Sequence, residues 1–294
     1  MKHDPDRHGS RKKRLRYRTV FISDTHLGSY GAQAKDLSRF LKQVRCDKLY
    51  LVGDVIDMWR LRKRWWWPPE HNDVVQRILR LSKKGTEVIY IPGNHDEAAR
   101  QYANLEFGGV KIRLSDMHQT ADGRKLLVTH GDQFDLVVKH HPVLSAMGGL
   151  AYEWLLRLNH AYNWGRQAVG MKHWSLSYYV KLRVKQACTF ISRYEETLMK
   201  EARRRGAQGV VCGHIHKGEC RADESPQYFN CGDWVESGTA MVEHADGTME
   251  LIDGRKAVMD LRIAKAIARR RVAQAPNQAP DAMPAIEDAV TVLG

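Results

Sequence analysis

Five places in this 294-residue chain set Asp, Asn or His directly behind a short apolar run. They are Asp24-Thr25-His26, Gly53-Asp54, Gly93-Asn94-His95-Asp96, His130-Gly131-Asp132 and Gly213-His214-Ile215-His216. Their side chains offer carboxylate and amide oxygens and imidazole nitrogens, and no thiolate. That mixture suits Mn²⁺, Fe²⁺ or Zn²⁺ better than a calcium site. In Asp-x-His and His-x-His at a strand end, both side chains aim the same way, because residues i and i+2 share a face. The run Leu49–Val52 stops at Gly53, where the backbone can turn sharply, so Asp54 stands at a strand's carboxyl end. Ligands of open α/β sheets bind at that end. A carboxylate has two oxygens and can bridge two cations. Two metals about 3.5–4 Å apart, so bridged, would clamp the attacking and leaving oxygens of a phosphoryl displacement. Singly, Gly-Asp is a common turn and a lone His is more often structural. As a set the bland reading fails, because buried strand ends would then carry polar groups without partners.

The elements that must position these residues follow from the periodicity. Arg18 to Ser23 reads as a first strand, 48–52 as the central one, Glu87 to Ile91 as a third, Leu126 to Thr129 as a fourth and Gln208 to Cys212 as a fifth. Further strands fall near 227–231, 239–244 and 248–252. Leu37, Phe40, Leu41 and Val44 recur at helical spacing over 34–45. A second helix is expected over 72–84, with Asn72 as N-cap, Val74, Val75, Ile78 and Leu79 as its apolar face, and Gly85 as its stop. The stretch 139–205 breaks the rhythm: it is helix-like, basic and aromatic, with Tyr152, Trp154, Tyr162, Trp164, Trp174, Tyr178 and Tyr179. The organisation expected is a disordered basic arm over 1–17, a domain over 18–254 carrying the 139–205 insertion, and a basic helix and disordered tail over 255–294.

Hydrophobic residues make up 43% and charged ones 28% of the chain, the balance of a globular protein with a full core. No apolar run approaches the ~20 residues that span a bilayer, and the polar, basic N-terminus shows no secretory signal. The five cysteines are odd in number and form no C-x-x-C pair, so they read as reduced thiols, with Cys212 in the core. A cytoplasmic location follows as the expectation. The net charge of +13 is uneven, with +6 in residues 1–18, +6 in 255–271 and +8 in 139–205. Basic ends are either solvated or drawn to a polyanion surface.

The five blocks, in this order and at these spacings, resemble the calcineurin-like metallophosphoesterases, whose pattern runs D-x-H, G-D, G-N-H-D, a histidine after a strand, and G-H-x-H. The resemblance covers roughly residues 18–253. It implies an α/β fold, a four-layer αββα sandwich, into which the helical stretch 139–205 is inserted. It also implies two divalent metal ions, Mn²⁺ first, with Fe²⁺ or Zn²⁺ as the alternatives. By position, Asp24, His26, Asp54 and His216 would hold one metal, and Asp54, Asn94, His130 and His214 the other. His95 would sit above the pair, hydrogen-bonded to Asp96, and stabilise the phosphoryl oxygens or protonate the leaving group. Within the superfamily the sequence is most similar to UDP-2,3-diacylglucosamine diphosphatases of lipid A synthesis. Ser23-Asp24-Thr25-His26-Leu27, the helical insertion and Gly232-Asp233-Trp234 carry that similarity. Those proteins typically have Arg where this chain has His95, a departure that bears on the substrate.

The function so implied is hydrolysis of a phosphodiester or pyrophosphate bond, with UDP-2,3-diacylglucosamine as one candidate substrate and another nucleotide or lipid compound as the alternative. A nuclease ranks lower, since most excess charge lies in the ends and the insertion and no nucleic-acid-binding motif appears. A non-catalytic scaffold is disfavoured by the intact ligand set. His118, His140, His141, His160, His173 and His244 match no block and read as surface residues or residues behind the ligands. Asp57 and Asp132 stand beside ligands and can orient imidazoles, though helix capping suits Asp57 equally. The loop Arg60 to Pro69 carries Trp65, Trp66 and Trp67 among arginines. Either it contacts a membrane interface or an acyl chain, or its tryptophans pack under the insertion. The insertion itself is either a lid over an amphipathic substrate or a dimerisation arm. Peripheral contact with an anionic inner membrane face completes the expectation.

Overall fold

The computed structural model describes residues 14–134 and 176–274. The chain enters as β1 (Leu15–Arg16), which pairs in parallel with β3 (Val44–Arg45). Residues 14–17 therefore do not belong to a disordered arm. The Tyr17 N–H donates to the Arg45 carbonyl, and Leu15 and Tyr17 pack against the core. Residues 1–13 of the expected arm lie outside the described residues.

One sheet has seven strands. They are β2 (Thr19–Ile22), β4 (Lys48–Val52), β5 (Glu87–Ile91), β6 (Glu106–Phe107), β7 (Val110–Ile112), β13 (Thr239–Glu243) and β14 (Met249–Asp253), in the order β14-β13-β2-β4-β5-β7-β6. β2, β4, β5 and β7 run parallel. A second sheet has five strands: β8 (Asp116–Gln119), β9 (Lys125–Val128), β10 (Gly209–Cys212), β11 (Glu219–Arg221) and β12 (Gln227–Asn230), in the order β11-β12-β10-β9-β8. There β9, β10 and β12 are parallel.

Strand alternation sorts the core into layers. Val20, Ile22, Leu49, Leu51 and Val88 face outward onto helices α1 (Ala34–Gln43) and α3 (Pro69–Ser82), which contribute Leu37, Phe40, Leu41, Val74 and Ile78. Their neighbours Phe21, Tyr50, Val52 and Ile89 face inward and meet Leu126, Val128, Val211 and Phe229 of the second sheet. On the far side, Leu127, Val210, Cys212 and Tyr228 pack against Tyr194, Leu198 and Ala202 of helix α4 (Leu176–Arg204). The result is the expected αββα sandwich. The short helix α2 (Met58–Lys63) follows β4.

Three expectations shift. Helix α3 begins at Pro69 with Pro68 as N-cap, so Asn72 lies inside it; proline at the first helical position is pre-set for the turn. The C-terminal part of the 139–205 stretch is not a lid. Parallel neighbours β9 and β10 need a crossover, and the end of α4 supplies it as the outer layer. The rest of the proposed lid or dimer arm, up to residue 175, lies outside the described residues. The segment 106–119 forms β6, β7 and β8, which are too short for a clear period.

Away from the ligand-bearing strand ends, Glu243 ties the two sheets together. It is fully buried and accepts from Arg18 Nη1 at 2.6 Å, Thr19 Oγ1 at 2.6 Å and the Ala121 N–H at 2.8 Å, with His118 Nε2 at 2.8 Å. His118, expected at the surface or behind the ligands, is buried here instead. The chain divides into residues 14–258, which hold both sheets, and residues 1–13 with 259–294. The described part of the latter is the continuation of helix α5 (Gly254–Gln274), where Met259, Ile263 and Ile267 are exposed at four-residue spacing. No helix of the described residues is long and apolar enough to cross a membrane.

Candidate metal centre

The parallel strands β2, β4, β5, β9 and β10 all deliver their next residues to the same end of the sandwich. There the backbone departs from ordinary geometry. Asp24, His26, Asp54, His214 and His216 have φ of +51°, +45°, +50°, +71° and +55°; among described non-glycine residues only Asn104 joins them. Each such residue costs on the order of 1–3 kcal/mol. The left-handed turns let ligand side chains leave β2, β4 and β10 toward one point. The Asp24 and His26 N–H groups donate to the Gly53 and Asp54 carbonyls at 3.0 and 2.9 Å, so the first two turns run side by side. The glycines before the ligands are spatial requirements: a Cβ on Gly53 would fall within the His130 ring, and one on Gly93 against Asp54 Oδ1.

Two clusters result. In the first, Asp24 Oδ1 lies 3.3 Å from His216 Nε2 and 3.9 Å from His26 Nε2, and the two imidazole nitrogens are 3.3 Å apart. In the second, Asp54 Oδ2 lies 3.4 Å from His130 Nε2, with His214 within the same small group. Asp54 Oδ2 is also 3.9 Å from His26 Nε2, so this carboxylate is shared. Asn94, on the loop after β5, has a buried amide oxygen.

The fit to cations shows in three buried atoms. Asp24 Oδ1, Asn94 Oδ1 and His130 Nε2 have no hydrogen-bond partner. Each is a lone-pair donor, and such groups are costly to bury unsatisfied. Their other valences are taken. His130 Nδ1–H donates to the Val52 carbonyl at 2.9 Å, which turns Nε2 inward. Asp24 Oδ2 accepts from Ser23 Oγ and, at 2.9 Å, from the His214 N–H. Asp54 Oδ1 accepts from the His95 N–H at 2.8 Å. A donor set of carboxylates, imidazoles and an amide with spare lone pairs fits divalent transition metals.

The electrostatics agree. Burial opposes ionisation of Asp24, but the imidazoles of His216, His130 and His26 overcome it and hold the carboxyl below its usual range. Asp54 is held down the same way, with His130 the main counter to its burial. Burial would lower His130, yet the charges of Asp54 and Asp24 push it up to about 10; burial and then Asp24 act likewise on His216, which rises to about 9. The carboxylates thus draw positive charge inward, and metal binding must displace those protons.

One expected partnership is wrong. His95 does not bond Asp96: its Nδ1 lies 3.0 Å from Asp57 Oδ1. The chain turns at His95 and Asp96 into the short helical turn that starts at Glu97, and this turn carries Asp96 away from the imidazole. Asp96 accepts instead from the Gly93 and Val55 N–H groups at 2.6 and 2.7 Å, bracing the loops beneath the ligands. Asp57 fills both roles considered for it. It caps α2 by accepting from the Arg60 N–H at 3.0 Å, and its Oδ2 lies 3.6 Å from His26 Nδ1. Asp132 is engaged by Arg100 through two contacts of 2.7 Å.

Two contributors carried no clear signal in the sequence. Trp59, on the first turn of α2, lies over the His95 ring with centroids 4.2 Å apart. Tyr194 of α4 sends its hydroxyl to the carbonyls of His130 and Gly213 at 3.4 and 3.2 Å, joining two ligand loops. The tryptophan loop packs on α3 and Tyr30: Trp66 and Trp67 stand edge-on to His71, and Trp66 also lies 4.2 Å from the Tyr30 ring. Trp65 is 74% exposed.

The family model described as calcineurin-like phosphoesterase matches residues 17–218. A UDP-2,3-diacylglucosamine hydrolase of Edwardsiella ictaluri is 27% identical over 213 residues, 68% of this chain and 76% of that protein. One of Aeromonas salmonicida is 27% identical over 235 residues, 76% of this chain and 89% of that protein. A solved archaeal phosphodiesterase superposes over 80% of this chain and 98% of its own, at 13% identity and a TM-score of 0.38.

Proposed function

Because the chain belongs to the calcineurin-like phosphoesterase family, and is by that membership a metal-dependent phosphoester hydrolase, we propose that it cleaves the pyrophosphate of an amphipathic, nucleotide-linked substrate of the UDP-2,3-diacylglucosamine type. The observation that carries the hydrolase reading is the pair of Asp/His clusters that share the Asp54 carboxylate, with unpartnered buried lone pairs on Asp24 and His130. The names of the relatives and the match over most of two of them support the substrate. Manganese is the proposed ion, held by Asp24, His26, Asp54 and His216 on one side and by Asp54, Asn94, His130 and His214 on the other. When bound, such a pair supplies Lewis-acid activation of the phosphoryl group.

The chain's own groups do the rest. His95 is the hydrogen-bonding group at the rim, its side chain 25% exposed while that of Asp57 behind it is 4% exposed. Burial opposes protonation of His95, but the Asp57 contact at Nδ1 and the Asp54 charge raise its proton affinity, so that the protonated ring can donate from Nε2 to a phosphoryl or leaving-group oxygen. Trp59 limits the ring's rotation. Asp96 positions the loops and takes no part in proton transfer.

The exposed Trp65, with Arg60, Arg62, Lys63 and Arg64 on the preceding turns, supports a peripheral contact with anionic lipid beside the cleft. The test of the function is hydrolysis of UDP-2,3-diacylglucosamine, soluble nucleotide sugars and simple phosphodiesters by the Mn²⁺-loaded protein, wild type and His95→Ala. The acylated substrate should be turned over fastest, and His95→Ala should lower that rate ~10²–10³-fold with metal content unchanged. Equal turnover of all three classes would remove the substrate reading. A wild-type rate in His95→Ala would remove the role of His95.

A further inference from the structure

At the other end of β4 and β5, away from the metal ligands, lies a concavity of about 480 Å³ lined by Arg16, Tyr17, Arg45, Cys46, Asp47, Lys84, Gly85 and Thr86. Its basic residues are arranged against the ordinary rules of strand pairing. Arg16 and Arg45 stand directly in register on the parallel pair β1 and β3. Like charges so placed repel. Among the described residues no carboxylate forms an ion pair with Arg16, Arg45 or Lys84. Glu87, one residue past Thr86, is already paired with Lys48 at 3.2 Å and Lys111 at 2.8 Å. Asp47 is the single acid in a lining that holds three cations. The repulsion extends further: burial and the Arg45 charge both lower the proton affinity of Arg14. The lining thus holds two guanidinium groups and an ammonium against the single carboxylate of Asp47, an excess of two positive charges.

We propose that this concavity is a second anion site, which takes a phosphoryl group through Arg16, Arg45 and Lys84. A tetrahedral dianion satisfies what the site lacks: its charge offsets two of the cations, and its oxygens accept from planar guanidinium forks and an ammonium. The volume admits a phosphorylated small molecule. The same chemistry is offered by a free phosphate ester and by a lipid headgroup. The site owes nothing to the metal centre and stands whatever the hydrolysed substrate is.

The test uses the metal-loaded, full-length protein and Arg45→Glu, which places a carboxylate opposite Arg16. In chloride buffer this variant should be at least as heat-stable as wild type, because a repulsive pair becomes an attractive one. One arm follows thermal stability as inorganic phosphate replaces chloride at constant ionic strength; the metal centre contributes equally in both proteins. The other measures sedimentation with phosphatidic acid vesicles. In whichever arm reports the natural source, wild type should respond at a ligand concentration about tenfold or more below that needed by Arg45→Glu. A difference with phosphate marks a soluble ligand, and a difference with vesicles alone marks a headgroup. Lys84→Glu, a surface change outside the strand pair, should weaken the same response. If wild type and both variants agree in both arms, the site does not exist.

Discussion

Replacing Asp57 by Asn discriminates best between the geometry of this site and the adjacent-residue reading of Gly93-Asn94-His95-Asp96. The structure gives Asp57 three partners: the Arg60 N–H at 3.0 Å, His95 Nδ1 at 3.0 Å and His26 Nδ1 at 3.6 Å. Asparagine caps a helix about as well as aspartate, so α2 should persist and thermal stability should change little. What is lost is the charge. The contact to His95 becomes a neutral one, and a hydrogen bond to a charged group contributes about 1.5–3 kcal/mol. If that contribution is felt in the transition state, kcat/KM should fall about 10- to 150-fold. The assay is steady-state hydrolysis of a poor-leaving-group phosphodiester at saturating Mn²⁺, which masks weakened holding of the ion near His26. Titrating Mn²⁺ in parallel separates that second effect. Asp96→Asn gives the opposite signature: it removes acceptors for the Gly93 and Val55 N–H groups and should lower stability before it alters the chemistry. Asp57→Asn at the wild-type rate, with Asp96→Asn slowed and equally stable, would refute the assignment.

Asp54→Ala should lose both ions in metal analysis, while His26→Ala weakens mainly one site and His130→Ala mainly the other, since only Asp54 reaches both clusters. Gly53→Ala should fold poorly or lose the His130-side ion, because the new methyl meets the imidazole and φ is +78° there; circular dichroism and metal content distinguish the two. Glu243→Ala should cost about 3–5 kcal/mol in urea unfolding by stranding Arg18 and His118, with metal content intact. Burial opposes ionisation of Glu243, but His118, Thr19 and the Ala121 N–H hold its carboxyl at about 2. That stabilisation is complete above the unfolded value near 4.5 and is lost as pH falls toward about 2. Wild type should therefore lose an acid-sensitive increment that Glu243→Ala lacks.

The candidate metal centre was legible in the sequence because its residues break local rules together. A strand that ends in Gly-Asp or Gly-His-x-His has no folding reason to bury those groups, and that conflict is visible without coordinates. The long strands were legible for the opposite reason: β4 and β5 each place four consecutive apolar residues, Leu49–Val52 and Val88–Ile91, behind one charged residue. The partner of His95 was not. Sequence adjacency favoured Asp96, whereas Asp57 arrives from the next strand along, through a turn whose course depends on left-handed Asp54. Trp59 and Tyr194 were hidden because their roles are contacts across elements. The strands between 106 and 119 were too short to show a period, and Glu243 looked like any strand-end acid until the second sheet brought His118 to it.

The same placement alters what the basic segments can do. The charge excess of residues 1–18 and the Trp65 to Trp67 loop had pointed to one membrane contact. Yet Arg16 lies beside Arg45, before β4 begins, and the tryptophan loop follows Asp54, after β4 ends. The five residues of β4 alone separate the two by about 17 Å, at about 3.3 Å per residue. Charges at one pole are screened from a surface at the other, since the Debye length at physiological salt is about 8 Å. On the proposed contact through Trp65, a bilayer seated at that end of β4 would gain little from the charges of Arg14, Arg16 and Arg45. Vesicle binding that depends on Trp65 should be indifferent to Arg45→Glu, and headgroup binding through Arg45 should be indifferent to Trp65→Ala. Measuring both variants against the same anionic vesicles decides it. Loss of binding in each would place both poles on one membrane-facing side of the molecule and overturn this separation.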